Sequence, residues 1–355
     1  MYLGIEIGGT KLQLAVGPGD GSPLVDFRRA EIRLEAGAGG ILRQIESIGR
    51  ELIERHQPQA IGIGFGGPVD AETGRTVISH QVEGWTDFAL VDWCRETFGL
   101  PAGLFNDSDA AGLAEALFGA GRGHRVVFYT NVGSGIGGAL VVDGRVYSGG
   151  HGIASEIGHL RPGLDADNPQ ATVESCSSGF GIAAAGRSWL AEESLHDPSA
   201  ADLLARCTGR IEQLSGRMVA EAAAAGNVAA RRIFARALQT FGWAIAQMIT
   251  LVAPQVVVIG GGVPLIGEKT FFEPLRQQVA RYVFPPLVHT YSIVPAALGE
   301  EVVVHGALAV AGQGSDRQGL GLQHRVLQAV ICGGRLLVVG GRAIWAVACF
   351  DNPFL

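Results

Sequence analysis

Two adjacent polar residues, Asn106 and Asp107, stand where a predicted strand ends and a predicted helix begins. The strand covers Ala102 to Phe105, and the alanine-rich helix runs from Ser108 to Gly119. A carboxylate at the end of such a strand can accept the proton of a hydroxyl group that acts as a nucleophile. Asp107 could instead serve only to cap the helix, a position that Asn and Asp favour. The residues alone leave both roles open.

Three further side chains could recognise the hydroxyl groups of a ligand. Glu156 and His159 are three residues apart in an irregular stretch, and Glu174 follows them. Carboxylates and imidazoles hydrogen bond readily to hydroxyls. Equally, the first two could form a surface pair or include a buried histidine with its own partners, and Glu174 could be a solvated loop carboxylate. A loop containing Gly67 follows the buried predicted strand Ala60 to Phe65 and is another strand-end loop of the kind that binds ligands.

Glycine-rich turns join one predicted strand to the next at two places, and each turn could hold phosphate. Glycine leaves the backbone N–H groups open to a ligand, because no Cβ stands in the way. A Walker loop or a dinucleotide-binding fingerprint would require the turn to open a helix, so both are disfavoured. Plain tight turns are the alternative. The candidate residues are Glu6, Gly8, Gly9, Thr10 and Lys11 in the first turn and Gly133, Ser134, Gly135, Gly137 and Gly138 in the second.

A third glycine cluster, which includes Gly261 and Gly262, lies between a predicted strand and a predicted helix. The strand, Val256 to Ile259, is fully apolar, and the helix lies near Phe271 to Tyr282. Nucleotide groups commonly bind at such junctions. Upstream, a long helix is predicted from its cap Asn227 through Ala253.

The elements that must position these residues follow an order that restarts at Val126, which indicates a duplicated fold. The chain has 355 residues, of which 47% are hydrophobic, enough for two domains with large cores. A net charge of -7 without clustered Lys and Arg argues against a nucleic-acid surface. Five cysteines without a CxxC pair indicate reduced thiols, and the N-terminus does not resemble a secretory signal. We expect a cytoplasmic protein that binds neither nucleic acid nor membrane.

In their order, these motifs resemble the ROK family of sugar kinases, which shares its fold with actin, hexokinase and the heat-shock chaperone ATPases. The resemblance covers roughly residues 1–312 and is carried by GIEIGGTK, FGGPVD, NDSDAAGLAEALFGAG, NVGSGIGGALVVDGRVYSGG, SEIGHL, VESCSSG and VVVIGGGV. It implies an α/β protein with a two-lobed, actin-like ATPase (ribonuclease H-like) fold, in which duplicated mixed sheets are flanked by helices. The small lobe would comprise residues 1–124, with 299–312 returning to it, and the large lobe 125–298.

The resemblance also implies transfer of the γ-phosphoryl group of ATP to a hexose hydroxyl, with glucose as the first candidate. Kinases of fructose or of N-acetylhexosamines are alternatives, and a sugar-sensing member without turnover is an alternative of another class. By position, Asp107 matches the general base, and the three glycine clusters match the ATP site, with Mg²⁺ near Glu6. A homodimer is favoured. The matching sugar ligands are Gly67, Asn106, Glu156, His159 and Glu174.

Three positions depart from the family pattern. Glu6 stands where relatives usually have Asp, which puts a longer side chain at the metal, and Gln81 stands where they often have Asn, which could alter sugar choice. Many relatives hold zinc with the histidine that His159 matches and three nearby cysteines, but only Cys176 follows here. We therefore expect no structural zinc. Packing is expected to hold this loop instead, around Leu160, Pro162 and Leu164.

Transcriptional repressors of this family carry an N-terminal helix-turn-helix domain, for which the first motif, beginning at Gly4, leaves no room. We therefore expect a kinase. The tail, residues 313–355, lies outside the resemblance. Arg335, Arg342 and two Gly-Gly pairs make its apolar part a poor membrane span. An added β-hairpin and an extension from a shifted reading frame both fit the tail.

Overall fold

The computed structural model describes residues 1–78, 82–163, 167–192 and 197–313, together with two short strands at 336–339 and 342–345. The strands are β1 (Tyr2–Ile7), β2 (Lys11–Gly17), β3 (Asp26–Glu31), β4 (Ile61–Phe65), β5 (Val69–Asp70), β6 (Arg75–Thr76), β7 (Ala102–Asn106), β8 (Val126–Val132), β9 (Ile136–Val142), β10 (Arg145–Val146), β11 (Val256–Gly260), β12 (Ser292–Pro295), β13 (Leu336–Val339) and β14 (Arg342–Trp345). The helices are α1 (Gly37–His56), α2 (Leu90–Phe98), α3 (Asp107–Leu117), α4 (Val173–Ser177), α5 (Gly179–Glu192), α6 (Pro198–Arg206), α7 (Gly216–Ala224), α8 (Val228–Val252), α9 (Glu273–Tyr282) and α10 (302–313).

Two five-stranded sheets repeat the same topology. The first has the order β3-β2-β1-β4-β7 and the second the order β10-β9-β8-β11-β12. In each, an antiparallel hairpin, β1–β2 or β8–β9, leads into parallel strands, so both sheets are mixed. The restart of the sequence pattern at Val126 is therefore a repeat of the fold.

The first sheet and its helix follow the apolar pattern of the sequence. Strand β1 is buried beyond its first residue, as a central strand must be. Ile41, Ile45 and Leu52 of α1 are buried, in agreement with their helical spacing. The helix ends at Gln57, which has the left-handed conformation with φ 47° and precedes Pro58.

Helices α3 and α10 lie between the two sheets, where a buried apolar cluster joins them to β8, β9 and β11. Their backbones approach each other directly. A Cβ on Gly306 of α10 would overlap the Ala110 carbonyl of α3, and a Cβ on Gly62 of β4 would overlap the Ala307 carbonyl of α10. The last helix of the described chain is thus packed tightly on the first sheet.

A buried carboxylate ties the far end of α3 to the connection that leads into α10. Glu115 is fully buried, and its Oε1 accepts hydrogen bonds from the N–H groups of Ala297 (2.8 Å) and Leu298 (2.9 Å). Its Oε2 accepts one from Ala120 (2.8 Å). Three backbone donors therefore satisfy a charge that would be costly to bury without partners.

Helices α8 and α9 were both predicted, with different accuracy at their starts. Asn227 caps α8 as expected, because its side chain accepts the N–H of Ala230 at 2.9 Å. Helix α9 begins two residues later than predicted, since Glu268–Phe272 forms a π-helical turn before it.

Beyond residue 313, the structure describes only β13 and β14, which pair antiparallel. Within the described residues, no helix is both long enough and apolar enough to cross a membrane.

Candidate active site

Both halves of the chain contribute to a cleft of about 470 Å³. The first glycine turn, the third glycine cluster and the segment before α10 all line it. A neighbouring cavity of about 900 Å³ extends from the second turn towards α5 and α7. Predicted ATP residues in the cleft are Glu6, Gly8, Gly9, Thr10, Lys11, Gly261 and Gly262, and those in the neighbouring cavity are Gly133, Ser134 and Gly262.

Asp107 is the first residue of α3, and its neighbour fills the capping position. The side-chain oxygen of Asn106 accepts the N–H of Ser108 at 2.8 Å, and its amide donates to the carbonyl of Gly67 at 2.9 Å. The two predicted sugar ligands Asn106 and Gly67 are thus in contact. Asp107 lines the cleft, and its Oδ1 accepts the Ser108 N–H at 2.7 Å. Burial raises the pKa of Asp107 above its usual value.

Glu6 is a buried carboxylate at the end of β1 that is only partly neutralised. Its Oε1 lies 3.3 Å from Nζ of Lys11, whereas Oε2 accepts no hydrogen bond from any residue that the structure describes. Burial raises the pKa of Glu6 to about 7, with Lys11 opposing the shift and Asp107 adding to it. Glu6 and Asp107 are therefore close enough to interact electrostatically.

A metal could use this orphaned oxygen, although the described residues contain no group of three or more His, Cys, Asp or Glu side chains arranged to hold an ion. Mg²⁺ is usually held by one or two carboxylates together with water and substrate phosphates. The buried Oε2 of Glu6 fits that kind of site.

Of the predicted hydroxyl-binding residues, Glu156 lies close enough to Asp107 to interact with it electrostatically. Burial raises the pKa of Glu156; His159 opposes this shift, while Asp107 and Glu174 add to it. Glu156 is half-buried, whereas His159 is exposed. A small cavity brings Glu156 together with Asn106. The cavity thus brings together Asn106 and Glu156, whereas His159 and Glu174 do not line it and are linked to Glu156 only electrostatically.

Sequence reasoning missed Asp109, which lines the same small cavity as Glu156. Asp109 is buried, and its pKa is raised to about 7 by burial first and by Glu156 and Asp107 second. The signal was present in the sequence, since Asp109 is a second carboxylate two residues after Asp107 in the first turn of the alanine-rich helix. Asn131 was also missed. It lines the cleft, and its Oδ1 accepts the N–H of Gly137 at 2.9 Å.

Glu174 lies against the second glycine turn. Its Oε2 accepts the N–H of Ile136 at 2.8 Å. A Cβ on Gly135 would lie 2.5 Å from the same oxygen. A side chain at position 135 would therefore displace this carboxylate from the turn.

The loop after His159 is not organised as predicted. Leu160 is 39% exposed, so it is not the centre of a packed cluster. Instead, the Arg161 guanidinium donates to the carbonyls of His159 (2.6 Å) and Pro169 (2.7 Å), and hydrogen bonds replace the expected apolar packing. Leu164 and Gln81, two further positions named from the sequence, lie outside the described residues.

Comparison with known proteins gives consistent matches over most of the chain. A model of the ROK family matches residues 2–313. A glucokinase from Thermotoga maritima is 30% identical over 310 residues, which are 87% of this chain and 96% of that protein. The structure of a ROK family glucokinase from Streptomyces griseus, in complex with glucose and AMPPNP, has a TM-score of 0.74 and 27% identity and covers 88% of this chain and 99% of that one. A ROK hexokinase from Thermus thermophilus has a TM-score of 0.73 and 26% identity, with coverage of 89% and 99%.

These structural matches confirm the expected actin-like ATPase fold with duplicated mixed sheets flanked by helices. The family model also spans all the motifs that suggested the resemblance. The chain therefore belongs to the ROK family.

Proposed function

We propose that this protein transfers the γ-phosphoryl group of ATP to a hexose hydroxyl, with glucose as the first candidate substrate. The position of Asp107 carries the proposal. Asp107 lines the cleft to which both halves contribute and interacts electrostatically with Glu156, which lines a separate small cavity. A base in that position lies between a nucleotide in the cleft and a sugar near Glu156. The named relatives, which are glucokinases and a hexokinase, support the same reaction.

Asp107 would accept the proton of the attacking hydroxyl. A hydroxyl is a poor nucleophile, and a carboxylate with a raised pKa is a stronger base than one in water. Asn106 would hold the Gly67 loop in place through its bond to the Gly67 carbonyl. Glu156, His159 and Glu174 would bind the remaining hydroxyls.

The nucleotide would occupy the cleft lined by the first turn and the third glycine cluster. Its phosphates would meet backbone N–H groups near Gly8 and Gly133, and its adenosine would extend past Gly262 into the cavity of about 900 Å³. Mg²⁺ held by Glu6 would neutralise phosphate charge. Closure of residues 1–124 and 299–312 on residues 125–298 would then exclude water from the sugar.

The test measures ADP release with a coupled assay. The protein is supplied with ATP, Mg²⁺ and, in turn, glucose, fructose and N-acetylhexosamines. Glucose is expected to give the highest kcat/KM. Replacing ATP by polyphosphate in a parallel series identifies the phosphate donor. Folded protein that turns over none of these sugars with either donor would exclude the kinase function.

Asp107→Asn is expected to lower kcat by roughly 10²-fold or more, because the proton acceptor is lost while the shape is kept. Sugar affinity, measured by calorimetry, should change little. Asp143→Asn, at a largely exposed position outside the cleft, is the matched control and should retain normal kcat. A near-normal rate in Asp107→Asn would show that another group is the base.

A further inference from the structure

The second glycine turn is packed from behind by the elements that carry the proposed sugar ligands. A Cβ on Gly137 would overlap Oγ of Ser108, the residue after Asp107. A Cβ on Gly138 would overlap the carbonyl of Ser155, the residue before Glu156. The backbone of this turn therefore packs directly against the segment that carries Asp107 and the segment that carries Glu156.

Ile136, the residue before Gly137, is contacted at both ends of its backbone. Its N–H donates to Glu174 at 2.8 Å. Its carbonyl lies against Gly158, within the 3₁₀ turn Ile157–His159, where a Cβ would overlap that oxygen. One residue of the phosphate turn thus contacts two separate sugar-side elements.

The tip of the turn is attached to the same segment as Glu174. The N–H of Gly179 donates to the carbonyl of Gly133 at 2.8 Å, and the N–H of Phe180 donates to that of Ser134 at 3.4 Å. Gly133 itself faces open space, since a Cβ there would meet nothing within 4 Å. The carbonyls at the tip of the turn are therefore held by hydrogen bonds, while the space beside Gly133 is open to a phosphate.

Glu174 has one carboxylate oxygen to spare. Oε2 is committed to Ile136, and Oε1 receives no hydrogen bond within the described part of the chain. Its helix, α4, begins at a capping box between Thr172 and Ser175, which fixes the backbone that carries the side chain. A hydroxyl bound to Oε1 would hold the carboxylate in the position that also holds Ile136.

We propose that Glu174, through its hydrogen bond to Ile136, couples sugar binding to nucleotide binding. This inference rests on the proposed kinase function. Sugar bound to Glu174 fixes the second turn in the conformation that presents its N–H groups to phosphate, so the turn loses less conformational freedom when the nucleotide binds. Coupling of this kind is reciprocal, and nucleotide tightens sugar binding by the same factor.

Calorimetric titration of AMPPNP with Mg²⁺, with and without saturating sugar, measures the coupling without turnover. In the wild-type protein, the sugar is expected to lower the nucleotide Kd at least about fivefold. Two substitutions of Glu174 separate the effect of its side-chain length from the effect of its charge. Glu174→Gln keeps an oxygen within reach of Ile136 and should retain the ratio, whereas Glu174→Asp keeps the charge, loses the reach, and should bring the ratio close to one.

Two more variants complete the design. Glu156→Gln weakens the sugar site without touching Ile136, so at saturating sugar it should keep the wild-type ratio. Gly135→Ala leaves Glu174 intact but places a Cβ 2.5 Å from its Oε2. It should abolish the coupling even if the Glu174 variants fold poorly. Hydrogen exchange of the peptide 131–142 gives a direct readout, because sugar should slow it in the wild type and not in Glu174→Asp.

A wild-type ratio of one, or a full ratio in Glu174→Asp or Gly135→Ala, would overturn the coupling. Failure of the kinase function looks different. In that case the protein binds sugar and nucleotide with the expected ratio but releases no ADP.

Discussion

At the scale of single residues, four carboxylates around the start of α3 share raised pKa values for one reason. Burial is the largest cause at Glu6, Asp107, Asp109 and Glu156, and the charge of Asp107 adds to the shift at the other three. Such clusters are common at functional sites, where stability is given up for reactivity. The carboxylates therefore affect stability as well as chemistry.

Asp109→Asn is expected to stabilise the protein increasingly as pH rises from about 4 to 7, and by a constant amount above that. The pKa of Asp109 is raised from 3.8 to about 7, so its stabilising contribution is complete below pH 3.8 and is lost as pH rises through 7. Asparagine mimics the protonated form and avoids that loss. Melting temperatures of both proteins across this pH range provide the measurement.

The exposed Asp92→Asn on α2 serves as the control for this comparison. As an exposed surface substitution, it should leave Tm close to that of the wild type. If the difference in Tm between Asp109→Asn and the wild type stayed constant from pH 4 to 8, the pKa of Asp109 would not be raised in the folded protein.

At the scale of elements, the glycines of the second turn have two distinct reasons for being there. A Cβ on Gly138 would overlap the backbone carbonyl of Ser155, and a Cβ on Gly135 or Gly137 would crowd the side chain of Glu174 or Ser108. Gly133 has no such neighbour. Some glycines of this turn therefore serve packing. The sequence alone does not distinguish them from a glycine, such as Gly133, that faces open space.

Gly158→Ala and Gly133→Ala are expected to behave in opposite ways. The new methyl at 158 would overlap the Ile136 carbonyl, and the resulting shift should destabilise the fold by about 1–3 kcal/mol. At 133 the methyl meets open space, so the free energy of unfolding should stay within about 0.5 kcal/mol of wild type, while KM for ATP rises. Urea unfolding and ATP kinetics test both. Equal loss of stability in the two variants would refute the packing argument.

Local patterns were sufficient to predict many of the elements and to select residues that line the cleft. The apolar spacing of α1, the cap at Asn227, the two strand-to-strand turns and the restart at Val126 are all short-range features. Contacts between distant parts of the chain were not predictable. The hydrogen bond from Arg161 to the carbonyl of Pro169 and the one from Ile136 to Glu174 join residues that are separated along the chain.

At the scale of the whole molecule, α3 runs from the cleft to the connection that leads into α10. Asp107 begins this helix at the cleft, and Glu115, near its other end, holds the connection into α10. A rigid helix fixed at both ends would transmit movement of one half to Asp107, the proposed base. Closure and positioning of Asp107 are therefore expected to be linked.

Glu115→Gln is expected to lower the free energy of unfolding by about 1–3 kcal/mol, because an NH₂ group would replace an oxygen that faces backbone donors. The exposed Glu96→Gln is the control and should change stability little. Urea unfolding gives both values. Equal stability of the two variants would mean that the buried hydrogen bonds of Glu115 contribute nothing.

The packing of α10 on β4 has a consequence for how the protein is made. Gly62 emerges from the ribosome early, whereas its partner Ala307 follows about 240 residues later, which corresponds to roughly 10–50 s of synthesis. During that interval the apolar surface of β1 and β4, which α10 covers in the finished protein, has no partner on the nascent chain. The packing of the first sheet is thus completed only when α10 has been synthesised. A chaperone that shields the exposed surface of this sheet would protect it until then.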